Sequence, residues 1–371
     1  MKPRIIYFQQ NIATGACEEY FYLLMERIDK NRFEMNFICP QNPVLDALVT
    51  KAEALGIKVH RYSLDTSKYL LILYLKSFFR ETRPDIIHFN DPCLIGIIAA
   101  RLAGVPILLM THHTPQLNRQ YNLKGRILEN IALRHCGLYF IFTSEYDRET
   151  GIKKDRVSKD RSFVIYYGLP PDKFKQSYNK KEIYDEFSLD DNCRIIGNIA
   201  RLSQQKGQDY LIEAASIVIE QVKSVKFFLV GDGELELKLK AQVKEKGLQD
   251  YFIFTGYRAD IPRLLSAFEM LVMPSLFEGL CFAIIEASAM GVPVVASAAG
   301  GMRRSVVDEK TGILVPIGDS NALAKAILRM LGYPNEAKEM GLAGKRHFAE
   351  LFTQERMVKK TEELYANLLQ R

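Results

Sequence analysis

Two glutamates eight positions apart, Glu278 and Glu286, are the residues whose types and spacing speak most directly of chemistry. They lie in Pro274-Ser-Leu-Phe-Glu278-Gly-Leu-Cys-Phe-Ala-Ile-Ile-Glu286-Ala-Ser-Ala-Met-Gly291-Val-Pro293. Apolar Met270–Met273 reads as a strand, and Glu278 falls in the loop after it. Apolar spacings of three and four over Cys281–Met290 predict a helix. Gly291 is suited to a left-handed stop, and Pro293 cannot continue a helix. Val294–Ala296 begins the next strand. One carboxylate therefore sits at the C-terminal end of a strand, and the other about two turns into the following helix. In an open parallel sheet, ligands bind at that end. Carboxylates accept strong hydrogen bonds, which suits the hydroxyls of a sugar or a ribose.

Cations accompany them. Gly197-Asn-Ile-Ala-Arg201-Leu-Ser-Gln-Gln-Lys206-Gly207 runs from a strand end to a predicted helix start. Two cations beside a helix N-terminus can hold a diphosphate, although a solvated basic loop has the same composition; the neighbouring glutamate frame favours the site. Gly231-Asp-Gly233 is a fragment of a dinucleotide fingerprint, because position 236 is Glu, and it reads as a plain turn. No phosphate-binding P-loop is present. His112 and His113 follow the strand Ile107–Met110, facing a cleft or forming a polar turn, whereas His88 lies inside a strand and reads as a satisfied interior residue. No two aspartates stand two apart and no His-Glu-x-x-His occurs, so no metal is expected.

The elements that must position these residues alternate strand with helix. Strands are expected at Arg4–Phe8, Glu34–Cys39, Lys58–Tyr62, Asp85–Phe89, Ile107–Met110, Leu138–Thr143 and Phe163–Tyr166. They resume at Arg194–Ile199, Lys226–Val230, Phe252–Thr255, Met270–Met273, Val294–Ala296 and Ile313–Val315. Most are unbroken apolar runs, as for parallel strands covered on both faces. Helices fit at Glu18–Asp29, Tyr69–Arg83, Leu94–Leu102 and Gly125–His135, then near 207–222, 234–246, 260–268, 281–290 and 320–332, with a last one from Thr353 to Gln370. The proline-led, polar segment from Pro170 reads as an interdomain linker. The expectation is an α/β chain of two doubly wound domains facing a cleft: residues 1–175 with the C-terminal helix 353–371, and residues 176–352.

A chain of 371 residues, with 48% hydrophobic and 25% charged residues, suits two ordinary globular domains. The first residues run straight into a strand rather than an apolar h-region, so secretion is not expected. Six scattered cysteines without a Cys-x-x-Cys pair suggest reduced thiols in a cytosol. Tyr69–Leu75, a run of seven apolar residues, is far too short to span a bilayer. The helix around it, with Lys68, Lys76, Arg80 and Arg83 interspersed, is either a core-packed crossover or a membrane-surface helix. Residues 1–178 carry 25 Lys+Arg against 18 Asp+Glu, a net of +7; the remainder of the +6 chain is therefore −1. The surplus includes Arg119, Lys124, Arg126, Lys153, Lys154 and Arg156, and is either ordinary scatter or the mark of a first half that meets something anionic.

Taken together, these residues resemble the retaining glycosyltransferases of family 4, with the GT-B fold. The resemblance runs through Gly15-Ala-Cys-Glu18, Arg83-Pro-Asp-Ile-Ile-His88, Thr111-His-His113, Ala200-Arg-Leu202, Lys206-Gly207, Gly231-Asp-Gly233, the Glu278/Glu286 frame, Gly300-Gly301 and Thr311-Gly-Ile-Leu-Val315. It implies that Glu286 holds the ribose, Glu278 the donor sugar, and Arg201 and Lys206 the diphosphate. His113 would lie near the donor sugar. Gly15 would bring backbone amides to the phosphate, the backbone at Tyr257 and Arg258 would border the base, and Leu280 and Cys281 would supply amides. The chain departs from the pattern at Ala16, Leu280-Cys281, Arg303-Arg304 and Tyr167, where the family usually has Gly, Phe-Gly, Pro and Glu, and Asn.

The resemblance implies a hexosyltransferase that uses a nucleoside-diphosphate sugar, without cofactor or metal, and retains the anomeric configuration. Its expected partners are that donor and a glycan or lipid-linked acceptor in envelope, capsule or exopolysaccharide assembly, with no nucleic acid; the positive charge of the first half and its apolar helix add the expectation of peripheral membrane contact through the N-terminal domain. Its expected place is the cytoplasm, at the inner face of the membrane. The rivals are a GT-B epimerase or phosphorylase, and a non-catalytic GT-B subunit that binds a glycan or a partner.

Overall fold

The computed structural model describes residues 2–10, 12, 16–90, 92–113 and 136–371. The chain divides into two units: residues 1–168 with 354–371, and residues 169–353. Gly15, the expected helix Gly125–His135 and the basic residues Arg119, Lys124 and Arg126 lie outside the described residues.

The first unit is built on a seven-stranded sheet of order β3-β2-β1-β4-β5-β6-β7. Its strands are β1 Arg4–Phe8, β2 Glu34–Pro40, β3 Lys58–Tyr62, β4 Ile86–Phe89, β5 Ile107–His112, β6 Tyr139–Phe142 and β7 Ser162–Val164. Every pairing is parallel, with Ile6 opposite Asn36 on one side and Ile87 on the other. Helices Lys68–Thr82 and Leu94–Ala103 contribute to one core, where Leu71, Leu75, Phe79 and Ile97 pack with Phe8, Phe89 and Phe140. The last helix, Gln354–Leu369, belongs to this unit. Gln354 Nε2 donates to Leu23 O at 3.0 Å and to Glu26 Oε2 at 2.8 Å, and Glu362 accepts from Asp29 N at 2.8 Å.

The second unit repeats the plan with six parallel strands in the order β10-β9-β8-β11-β12-β13. These are β8 Arg194–Ile199, β9 Val225–Val230, β10 Phe252–Gly256, β11 Phe268–Met273, β12 Val294–Ser297 and β13 Gly312–Val315. One core holds Leu211, Val218, Phe227, Leu323 and Ile327; the other holds Phe228, Leu264, Met273, Ile284 and Ala287. Apolar contacts on both faces explain why these strands read as continuous hydrophobic runs.

The boundary segment departs from the linker reading. The division falls at Gly168/Leu169, and Pro171–Phe174 forms a 3-10 turn of the second unit. Phe174 is buried and meets Phe348 edge-on at 5.9 Å, so an anchor sits inside a polar, proline-rich stretch. A further helix, Pro334–Leu351, was not expected. Its buried positions are Ala337, Met340, Gly341, Gly344 and Phe348, a face made largely of small residues that gives little hydrophobic periodicity.

Candidate active site

In the second unit the strand order reverses between β8 and β11, which are hydrogen-bonded neighbours. Loops leaving such a pair head to opposite faces of the sheet and open a crevice at the strand ends. The loop Ala200–Gly207 leaves β8, and the loop Pro274–Cys281 leaves β11. Their backbones are tied: Leu276 N donates to Gln205 O at 2.8 Å, and Gln205 Nε2 to Phe277 O at 3.0 Å. Gly207 has φ +64°, and a Cβ there would stand 2.3 Å from Pro274 O, so glycine is required at this crossing.

That crossing brings Lys206 to Glu278. The ammonium hydrogen-bonds Glu278 Oε1, and Ser275 Oγ donates to the same oxygen at 3.2 Å. The two side chains are 19% and 8% exposed. Burial alone would lower the lysine's pKa; the carboxylate of Glu278 outweighs it, with Cys281 adding, and the net shift is upward. Arg201 lies close enough for its charge to oppose that of Lys206. Cys281 is pushed up to about 11 by burial and then by Glu278, which makes it an inert thiol.

Arg201 is exposed, on a loop with a glycine floor. Gly231 and Gly233 have φ +132° and +155°, and Cβ atoms there would stand 2.2 Å from Ala200 O and 2.4 Å from Leu202 O. Leu202 N donates to Asp232 O at 2.7 Å, and Gln208 Nε2 to Arg201 O at 2.9 Å. Gly231-Asp-Gly233 is therefore more than the plain turn expected of it: it lets one strand-end loop lie directly against the other.

Glu286 is 8% exposed on the helix Phe282–Met290, and Lys173 Nζ donates to its Oε1 at 3.0 Å. This helix is held from outside by Pro334–Leu351, where a Cβ on Gly341 would stand 2.1 Å from Gly291 O. Leu280 and Cys281 are buried immediately before the helix. Tyr257 is 76% exposed just beyond β10. The guanidinium of Arg258 is engaged within the unit, by Asp260 at 2.8 and 2.7 Å and by Glu186 at 2.6 Å. Those hydrogen bonds hold the Asp260 carboxyl down to about 2. Arg303 and Arg304 are exposed in the helical turn Met302–Ser305 after β12.

His113 belongs to the first unit, just after β5, and is 6% exposed. Its Nε2 lies 2.7 Å from Asn90 Oδ1, and its Nδ1 meets the hydroxyl of Tyr167. Asn90 in turn donates to Gln9 Oε1. An amide oxygen can only accept, so Nε2 carries the proton and Nδ1 accepts from the tyrosine. Tyr167 also stacks on the imidazole at 5.6 Å, and Tyr20 closes it edge-on at 5.4 Å. Beneath lies His88, fully buried, with Nδ1 2.6 Å from Tyr365 OH and Nε2 2.7 Å from Thr111 Oγ1. Burial drives His88 and His113 down to about 3 and His112, which stacks on Phe142, to about 4. All three imidazoles are neutral at physiological pH.

Lys206, Glu278 and Cys281 thus form one cluster with Arg201 beside it, Glu286 pairs separately with Lys173, and His113 belongs to its own network in the other unit. Sequence reading missed Lys173, hidden in the presumed linker, and Ser275, which stood inside the quoted frame. It also missed Tyr167's contact, whose one signal was the departure from asparagine. Among the described residues, no three His, Cys, Asp or Glu side chains gather as a metal site requires.

The profile of "Glycosyltransferase Family 4" matches residues 17–173, and that of "Glycosyl transferases group 1" matches residues 193–332. The Escherichia coli UDP-Gal:alpha-D-GlcNAc-diphosphoundecaprenol alpha-1,3-galactosyltransferase is 30% identical over 317 residues, covering 82% of each chain. Among solved structures, a glycosyltransferase from Rickettsia africae has a TM-score of 0.87 at 18% identity and covers 99% of both chains. Anabaena HepE in complex with UDP-glucose has a TM-score of 0.84 at 25% identity, covering 98% of this chain and 99% of its own. With two Rossmann-like parallel sheets, both family profiles and a relative of this identity over most of both lengths, the chain belongs to family 4 of the GT-B glycosyltransferases, the glycosyl transferases of group 1.

Proposed function

We propose that this glycosyltransferase moves a hexose from a nucleoside-diphosphate sugar to a hydroxyl of a lipid-linked glycan acceptor, with retention, in the assembly of an envelope, capsule or exopolysaccharide glycan. The observation that carries the reading is the buried Lys206–Glu278 pair at the β8/β11 strand ends, with Arg201 beside it. A cation for a leaving diphosphate and a carboxylate for sugar hydroxyls are thereby one hydrogen bond apart.

In this scheme the acceptor oxygen forms its bond to the anomeric carbon on the face from which the phosphate departs. The bond from that carbon to the phosphate oxygen breaks, and the acceptor's proton passes to the departing oxygen. Arg201 and Lys206 are preorganised where negative charge grows, the largest class of contribution available to such a site. Glu278 orients the sugar, with Ser275 fixing its carboxylate. Glu286, steadied by Lys173, takes the ribose. Leu280 and Cys281 offer amides at a helix start, and the backbone at Tyr257 and Arg258 borders the base. Neutral His113 borders the donor sugar as a hydrogen-bonding group rather than as a charge. No metal or cofactor takes part, because the two cations supply the counter-charge directly.

Two names support the donor and acceptor: HepE is described in complex with UDP-glucose, and the E. coli relative is named for UDP-Gal and a diphosphoundecaprenol-linked sugar. A thermal-shift comparison of UDP, GDP and ADP, with and without chelator, tests the reading. A ligand that binds only the native state at a hundred times its Kd adds about 2.7 kcal/mol. One nucleotide should raise Tm, and excess chelator should leave both that rise and sugar transfer intact. No response to any of the three, or a loss of transfer that metal restores, would overturn it.

A further inference from the structure

Thirteen large hydrophobic side chains are exposed among the described residues, and six of them crowd into residues 44–74. They are Val44, Leu64, Tyr69, Leu70, Leu73 and Tyr74, with Tyr69 at 70% and Leu70 at 55% exposure. They form one neighbourhood. Gln41 N donates to Tyr62 O at 2.8 Å and Arg61 Nη2 to Asn42 O at 2.9 Å, which joins the loops that leave β2 and β3. The second of these loops leads directly into the helix Lys68–Thr82. That helix already satisfies its core with Leu71, Leu75 and Phe79. Its apolar outer face is therefore surplus to packing, and concentrated apolar exposure of this kind marks a surface that is covered in use.

The charges around the face select what covers it. Lys68, Lys76, Arg80 and Arg83 stand on or beside the helix against Asp65 and Glu81, a balance of four to two. A net positive face repels its own copy and attracts an anionic one. Leucines that enter the acyl boundary, tyrosines whose hydroxyls remain at headgroup level, and lysines whose stems lie along the apolar surface are the chemistry of interfacial binding. The helix has 15 residues, and no described helix is long and apolar enough to cross a membrane, so it would lie on the surface. The patch flanks the C-terminal ends of β2 and β3, and because the sheet is parallel, this is the same end at which His113 follows β5.

We infer that this face of the first unit docks on an anionic phospholipid bilayer, holding the strand ends beside the membrane; the inference rests on the lipid-linked acceptor proposed above. Sedimentation of the full chain with phosphatidylglycerol vesicles and with phosphatidylcholine vesicles tests it. The chain should sediment with the first far more than with the second, and less at high salt. The combined variant Tyr69→Ser, Leu70→Ser, Leu73→Ser, Tyr74→Ser should weaken binding more than about tenfold, and Lys68→Glu with Lys76→Glu should do so by a similar factor. Both variants should keep the nucleotide-induced rise in Tm, which shows that they are folded and separates this idea from the donor chemistry. Equal, negligible binding to both vesicles would overturn the docking and leave sugar transfer standing. Wild-type binding by folded variants would also overturn it, as would a concentration-dependent dimer that the serine variant abolishes. Vesicle binding without any nucleotide response would instead sink the proposed function.

Discussion

The two units keep polar residues at their strand ends by opposite means. In the second, the groups are charged and paired: Lys206 with Glu278, and Lys173 with Glu286. In the first, they are neutral and joined in a relay, Gln9–Asn90–His113–Tyr167, above a second network of Thr111, His88, Tyr365 and Tyr7. Buried charges must find partners, whereas neutral groups need only complete their hydrogen bonds. The difference teaches that similar sheets can meet the cost of burying polar groups in two ways: by pairing charges, and by completing neutral hydrogen bonds.

The sharpest way to break this contrast is to remove a cation. Lys206→Ala and Arg201→Ala should each cost about 2–4 kcal/mol of transition-state stabilisation, read from kcat/KM. If His113→Gln costs as much or more, the division of labour is wrong.

Acid offers the next test. The imidazoles of His88, His112 and His113 are depressed by burial, so the unfolded chain binds protons that the folded chain refuses. Their contribution is complete above the unfolded value near 6.5 and is lost as pH falls toward the folded values of about 3 to 4. At pH 5.5 each imidazole should withdraw on the order of 1 kcal/mol. Lys206 runs the other way: its raised pKa contributes below its unfolded value and is lost in alkali. Amide exchange, corrected for intrinsic rate, should show β4 and β5 losing protection at pH 5.5 before β8 and β11. Equal losses would erase the distinction.

A smaller effect is expected from Tyr167→Phe. It removes the donor to His113 Nδ1 while keeping the ring stack, and a buried acceptor left alone costs about 1 kcal/mol. Tm and kcat/KM should both fall modestly. An unchanged pair of values would make Tyr167 mere filling.

Much of this was legible in the sequence. The strands stood out because parallel strands covered on both faces leave unbroken apolar runs, and β1, β3 and β8 lie where they were expected. The Glu278 frame was legible because a strand, a loop and a helix follow one another within a few turns of chain. The illegible parts depend on distance along the chain or on small side chains. His88 meets Tyr365 across 277 positions, and no local pattern announces that contact. The helix Pro334–Leu351 closes on Gly291 through Gly341, an atom-scale fit that hydrophobic spacing does not register. The helix Lys68–Thr82 read as core-packed or as a surface element, and it has one face of each kind.

The last helix has a consequence for the order in which the protein is made. Tyr365, Gln354 and Glu362 complete hydrogen bonds to His88, Leu23, Glu26 and Asp29, all of them in the unit that leaves the ribosome first. That unit must wait with an unfinished interior while the whole of the second is synthesised and closes around its own core. The earlier-born half is thus the later to mature. A nascent chain stalled once residue 353 has emerged should resist protease in β8–β13 while remaining cleavable in β1–β4, and early protection of β1–β4 would show that this half does not wait.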